Sequence, residues 1–182
     1  TNTFVVTDAA GNTATCSFDV TVNDTEDPAI TCPAAITTSN DTGDCSAVVT
    51  YTTPVGTDNC TGATTTQTAG LPSGSTFPVG TTTNTFVVTD AAGLTATCSF
   101  TVTITDTVAP AITCPANIAQ ANDAGDCTAV VTYTAPVGTD NCTGATTTQT
   151  AGLASGAAFP VGVTTNTFVV TDAAGNTATC SF

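Results

Sequence analysis

The sequence repeats itself with a period of 82 residues, and that constrains the fold more than any other feature. The string TNTFVVTDAAG begins at Thr1, Thr83 and Thr165. Residues 25–100 align with 107–182 without a gap, with 14 differences in 76 positions, most of them between small or polar residues such as Ser75 and Ala157. A period of this length marks tandem modules, each obliged to bury a small core of its own. The frame divides the chain into 1–24, the C-terminal part of one repeat; 25–106, a complete repeat; and 107–182, a second repeat lacking the end of its last strand. Thr1 and Phe182 both fall inside expected strands, so the sequence reads as a stretch of a longer array.

Within the repeat the apolar residues alternate. Thr95 to Ile104 puts Ala96, Cys98, Phe100, Val102 and Ile104 on one face and hydroxyls on the other, the pattern of a half-buried antiparallel strand. Cys45 to Tyr51 does the same with Ala47, Val49 and Tyr51 inward. Further strands are expected at Asn84–Thr89, at Ala29–Cys32, and more weakly at Thr64–Thr68 and Phe77–Val79. Turn residues separate them, in Asn40-Asp41-Thr42-Gly43, Pro54 to Gly62, Pro72-Ser73-Gly74 and Asp90-Ala91-Ala92-Gly93. No segment holds a 3.6-residue period. Short strands at this spacing, with β-branched Thr on their outer faces, predict an all-β sandwich.

Cysteine and charge set the surroundings. The nine cysteines comprise Cys32, Cys45, Cys60 and Cys98 in one repeat, Cys114, Cys127, Cys142 and Cys180 in the next, and Cys16, the counterpart of Cys98. Four per small module, with no His and no CxxC spacing, read as disulfides of an oxidising compartment rather than a zinc site. The chain has no Lys, Arg or His against 14 acids, a net charge of −14. Such a surface cannot neutralise phosphates, so nucleic-acid binding is not expected. Nor has it anything to offer an anionic membrane, and no apolar run has the length of a spanning helix. Catalysis is not expected either, since a general base would have to be a carboxylate and an oxyanion would have no cation.

Several motifs carry a family resemblance. Cys32-Pro33, Val49-Thr50-Tyr51, Asp58-Asn59, Phe77-Pro78-Val79-Gly80, Thr89-Asp90-Ala91-Ala92-Gly93 and Cys98-Ser99-Phe100-Thr101-Val102 resemble the hyalin repeat, in register in both units. Leu94 departs from it, where Asn12 and Asn176 keep the preferred residue. The resemblance implies an immunoglobulin-like fold and an adhesive or architectural role at the cell surface or outside the cell. It also implies the pairings Cys32–Cys98 and Cys45–Cys60, with Cys114–Cys180 and Cys127–Cys142 in the next repeat. Yet a straight strand from Cys45 to Tyr51 would carry Cys60 to its far end, out of bridging range, unless the segment after Pro54 folds back. Cys98–Cys114, linking consecutive modules, is the alternative.

The immunoglobulin-like frame would gather acids where modules meet. The candidates are Asp24, Glu26, Asp27, Asp58, Asn59 and Asp90 at the first junction. At the second they are Asp106, Asp140, Asn141 and Asp172, with Asp41 and Asp44 facing them. Oxygen-only ligands suit a hard cation, and Ca²⁺ tolerates irregular sets of six to eight. No other cofactor is expected. Asn23-Asp24 before Pro28 resembles the linker of calcium-dependent cadherin repeats. The competing reading makes these residues turn formers and strand-end caps, and the second linker, Asp106-Thr107-Val108-Ala109-Pro110, has lost two acids. Asn23 and Asn40 begin glycosylation sequons.

Two roles follow. In the first, neighbouring repeats stack as the shaft of a stalk, fibre or filament, including self-association between chains that complete each other's split modules. In the second, each repeat is a direct adhesin for a glycan or protein and the array supplies avidity. Few exposed aromatics and no Arg make a poor hot spot, which favours the shaft.

Overall fold

The computed structural model describes all 182 residues. It is all-β, a tandem of immunoglobulin-like β-sandwich modules tied by disulfides, and contains no helix. Residues 1–24 contribute the hairpin of β1 (Asn2–Thr7) and β2 (Thr13–Phe18), in register from Asn2 opposite Phe18 to Thr7 opposite Thr13. The complete repeat supplies β3 (Ile36–Ser39), β4 (Ser46–Val49), β5 (Thr64–Ala69), β6 (Ser75–Pro78), β7 (Gly80–Thr89) and β8 (Thr95–Thr105). They form a four-stranded sheet in the order β3-β8-β7-β5 and a two-stranded sheet of β4 with β6. The second repeat supplies β9 (Thr128–Val130), β10 (Thr146–Ala151), β11 (Ala158–Pro160), β12 (Thr167–Thr171) and β13 (Thr177–Ser181). Here the sheets are β10-β12-β13 and β11-β9.

The chain divides into two compact units. The first joins Thr1–Cys32, Pro54–Thr68 and Thr85–Cys98; the second joins Pro33–Thr53, Ala69–Asn84 and Ser99–Phe182. In the first, Phe86 and Val88 are buried, and Val88 lies so close over Gly56 that a Cβ there would meet its side chain at 2.5 Å. In the second, Ala47, Val49, Phe77, Phe100, Val102 and Ile104 are buried, and the Tyr51 ring stands edge-on to Phe100 at 4.9 Å. Tyr51 also donates its hydroxyl to the Leu71 carbonyl at 2.7 Å, so the ring packs while its polar end is satisfied. Ala129, Phe168 and Val170 repeat the pattern one period on, with Tyr133 donating to Leu153.

Two elements differ from the alternation reading. The short strand expected at Ala29–Cys32 shrinks to one bridge, in which Ala29 and Thr57 exchange N–H to carbonyl bonds at 2.8 Å; Pro28 and Pro33, which have no N–H, bracket the segment and cannot extend the ladder. Conversely, β3 is a strand that the sequence does not announce. Its Ile-Thr-Thr-Ser holds one apolar residue, too few to show a period, and it pairs in parallel with Val102–Thr105.

Three disulfides form, and one class departs from expectation. Cys32 bonds Cys98, and Cys114 bonds Cys180, each closing 66 residues within a repeat. Cys45 does not pair with Cys60, nor Cys127 with Cys142. Cys45 bonds Cys142 of the following repeat, 97 residues on, with Cα atoms 4.9 Å apart. The segment after Pro54 does not fold back along β4: it bridges Ala29 through Thr57, so that Cys60 belongs to the first compact unit and Cys45 to the second. Cys16, Cys60 and Cys127 stay as exposed thiols, and Cys98 does not reach Cys114.

Candidate metal and cross-link site at the repeat junctions

The junction between the two repeats lies wholly within the second unit. β8 ends at Thr105, and the next residue, Asp106, is only 8% exposed. Its Oδ1 accepts the Val108 N–H at 3.1 Å, while Oδ2 is buried with no partner. In the loop before β10, Asp140 Oδ2 accepts the Cys142 N–H at 2.8 Å and Oδ1 is likewise orphaned, as is Asn141 Oδ1. The Asp106 and Asp140 carboxylates and the Cys142 sulfur offer atoms within 4.8 Å of one another. Because Cys142 is a disulfide sulfur, it is no thiolate ligand, and the set that remains is oxygen. Unpaired buried carboxylate oxygens are costly, and this chain has no side-chain cation to pair with them. A hard divalent cation fits that donor set.

The same constellation stands one period earlier, inside the first unit. Asp24, Asp58 and Cys60 offer atoms within 4.8 Å of one another, and Asp58 Oδ2 accepts the Cys60 N–H at 2.8 Å. Asp24 Oδ2, Asp58 Oδ1 and Asp90 Oδ2 are buried without a partner. Cys60 is a thiol here, a weak donor. Its S–H against the Asp24 carboxylate holds its pKa above the usual thiol range. Burial and the charges of Asp24, Asp58 and Asp90 add to that.

Not every expected ligand joins these clusters. Asp172 spends both oxygens on Asn176, accepting its N–H at 2.8 Å and its side-chain amide at 2.9 Å. Burial pushes its pKa up, but the bonds from Asn176 together with the backbone N–H groups of Gly175 and Ala174 outweigh that and hold it below the ordinary 3.8. Asp8 makes the same bonds with Asn12, whose side-chain amide lowers its pKa. Asp90 accepts the Leu94 N–H and stands apart from the Asp24–Asp58 pair. Glu26 accepts from the Asn59 amide at 3.0 Å, and exposed Asp27 lies outside the cluster. Asp41 is a turn former, its Oδ2 taken by the Val48 N–H.

The sequence reading named Asn141 and Asn40 but missed that their amides, with that of Asn176, fasten the junction by hydrogen bonds. Asn40 Oδ1 accepts the Thr107 N–H of the linker at 3.1 Å, and its amide donates to the Asp44 carbonyl at 2.8 Å. That inward placement takes the Asn40 sequon out of reach. Asn141 donates to the same Asp44 carbonyl across the junction at 2.9 Å. Asn176 donates to the linker carbonyls of Asp106 and Val108, at 3.2 and 3.3 Å. In a Thr- and Asn-rich chain nothing in composition marks which amides turn inward; the Leu94 departure is the one signal that this position matters.

The HYR domain family model matches residues 23–104 and again 105–182. Hyalin of Strongylocentrotus purpuratus is 37% identical over 187 residues, an alignment that covers 99% of this chain and 15% of that protein. Hyalin of Lytechinus variegatus is 35% identical over 191 residues, covering 98% of this chain and 35% of the relative. Among solved structures, the human Desmocollin-1 ectodomain aligns over 96% of this chain and 39% of its own, at 13% identity and a TM-score of 0.30.

Proposed function

Because the chain belongs to the HYR domain family, we propose that its repeats build the shaft of an extracellular stalk or fibre that serves adhesion, with covalently fastened junctions. The observation that carries this reading is the Cys45–Cys142 bond, which joins one family-matched repeat to the next. A module acting alone as an adhesin has no need of such a bond; a load-bearing series does. Disulfides in every repeat suit an oxidising space outside the cell. A loop of this length adds about 4–5 kcal/mol in the chain-entropy account.

The second part of the proposal is that Ca²⁺ occupies the Asp106–Asp140 and Asp24–Asp58 pairs and stiffens the junctions. Its support is the set of orphaned carboxylate oxygens. The test of the shaft is electron microscopy of the oxidised chain beside Cys45→Ser/Cys142→Ser. Thin rods of constant length are expected from the first and bent, variable particles from the second. Indistinguishable particles would remove the reading.

A further inference from the structure

The Cys45–Cys142 bridge masks a metal donor. A carboxylate oxygen of Asp106, one of Asp140 and the Cys142 sulfur lie within 4.8 Å of one another, and while the bridge is closed only the oxygens can ligate. Opening the bridge turns that sulfur into a thiol. Cys142 is 7% exposed and Asp106 8%, so the donors meet away from bulk solvent. Asp106 Oδ2 and Asp140 Oδ1 are buried and accept no hydrogen bond, and the chain has no Lys, Arg or His to neutralise them.

Hydrogen bonds, not the bridge alone, hold these donors in place. Asp140 Oδ2 accepts the Cys142 N–H at 2.8 Å, which keeps that carboxylate beside the sulfur. Asp106 Oδ1 accepts the Val108 N–H at 3.1 Å. The linker is held from both sides, by Asn176 donating to the Asp106 carbonyl at 3.2 Å and by Asn40 accepting the Thr107 N–H at 3.1 Å. Such outer bonds orient ligands before an ion arrives. A tetrahedral shell with Zn–O and Zn–S bonds of about 2.0 and 2.3 Å sets its ligand atoms roughly 3.3–3.5 Å apart. Small side-chain rotations bring atoms within 4.8 Å of one another to that separation.

We propose that Asp106, Asp140 and Cys142 form a zinc site when the bridge opens, with water in the fourth position. The inference rests on the bridged junction of the shaft reading and not on Ca²⁺ occupancy. Calcium takes oxygen ligands, whereas a thiolate selects a softer cation such as Zn²⁺. The redox state of the bridge therefore decides which cation the junction prefers.

The opening step is thiol–disulfide exchange with a thiol reductant such as glutathione. Two reductant thiols become one disulfide, and Cys45 and Cys142 each take up one electron and one proton. Zn²⁺ then binds the Cys142 sulfur and displaces its proton to solvent, with no further change of oxidation state. A sulfur held as a zinc thiolate is not free to attack, so the ion also delays closure of the bridge.

The test starts from the full chain carrying Cys16→Ser, Cys60→Ser and Cys127→Ser, in which a further Cys45→Ser leaves Cys142 as the one free thiol. Co²⁺, a coloured stand-in for Zn²⁺, should give sulfur-to-cobalt charge-transfer absorption at one ion per chain. Zn²⁺ should bleach it and millimolar Ca²⁺ should not. The bridged chain should give no such absorption, nor should Cys45→Ser with Cys142→Ser. Adding Asp106→Asn and Asp140→Asn should weaken Co²⁺ binding by more than about tenfold, since loss of even outer partners costs that much. Absorption unchanged in that variant, or its absence from Cys45→Ser, overturns the proposal.

A second measurement keeps Cys45. When the reduced chain is reoxidised with glutathione disulfide, Zn²⁺ should delay the Cys45–Cys142 bond severalfold by peptide mapping, and Asp106→Asn with Asp140→Asn should lose the delay. Closure at the same rate with and without Zn²⁺ overturns the inference and leaves the shaft standing. If the oxidised chain never forms Cys45–Cys142, the shaft reading fails, and the cobalt spectrum of Cys45→Ser alone decides the zinc site.

Discussion

Leu94 and Asn176 occupy one position of the repeat and show what a single amide contributes. Asn176 feeds a carboxylate and two linker carbonyls. Leu94 offers only its backbone N–H, and Asp90 Oδ2 goes without a partner. Asn176→Leu should therefore destabilise the second repeat by about 1–3 kcal/mol, the cost of orphaning a buried charged acceptor. Leu94→Asn should stabilise the first repeat by about 1 kcal/mol. Urea titrations of both variants check the two signs. The pH dependence follows from the depressed pKa of Asp172. A folded pKa below the unfolded 3.8 contributes stability that is complete above 3.8 and lost as pH falls through the folded value. Urea midpoints from pH 6 down to pH 2 should fall more steeply for the wild type than for Asn176→Leu, the direct sign of that coupling.

At the level of strands, the repeated string carries the core: Phe86 in β7 is 1% exposed and Phe168, its counterpart in β12, 4%. Phe86→Ala should cost about 3–5 kcal/mol by cavity formation. A lowered thermal melting midpoint checks it. Gly138 packs against the same kind of core, since a Cβ there would meet Val170 at 2.6 Å. Gly138→Ala should cost about 1–3 kcal/mol through overpacking. The long strands were legible because alternating residues face a core: Phe100, Val102 and Ile104 in β8 are all buried. β3 was not, since its place is set by a parallel neighbour and not by any pattern of its own.

On the scale of the whole molecule, the sequence placed the acids at the junctions, and the family resemblance paired Cys32 with Cys98 and Cys114 with Cys180 but missed Cys45–Cys142. The partner of Cys45 lies 97 residues away in another repeat, and no reading of spacing within one repeat can reveal a bond that depends on how repeats meet. The acids were half legible. Asp24 lies beside Asp58, and Asp106 beside Asp140, whereas Asp172 and Asp41 answer to local hydrogen bonds. The expected outcome for metal is that millimolar Ca²⁺ raises the melting temperature and chelator reverses the gain. Asp106→Asn with Asp140→Asn should abolish the response. A calorimetric scan that ignores Ca²⁺ in the unsubstituted chain would falsify calcium stiffening.

The staple also changes what a cut can do. Between Thr105 and Ala111 the two repeats are joined by backbone, and in parallel with it by the sulfur bridge from Cys45 to Cys142. Hydrolysis of a peptide bond in that stretch leaves Cys32–Cys98 in one fragment, Cys114–Cys180 in the other, and the bridge still spanning the break. A protease that severs the linker therefore marks the chain without parting it. Tension that reaches the nick is carried by sulfur, and the fragments separate only when a reductant arrives.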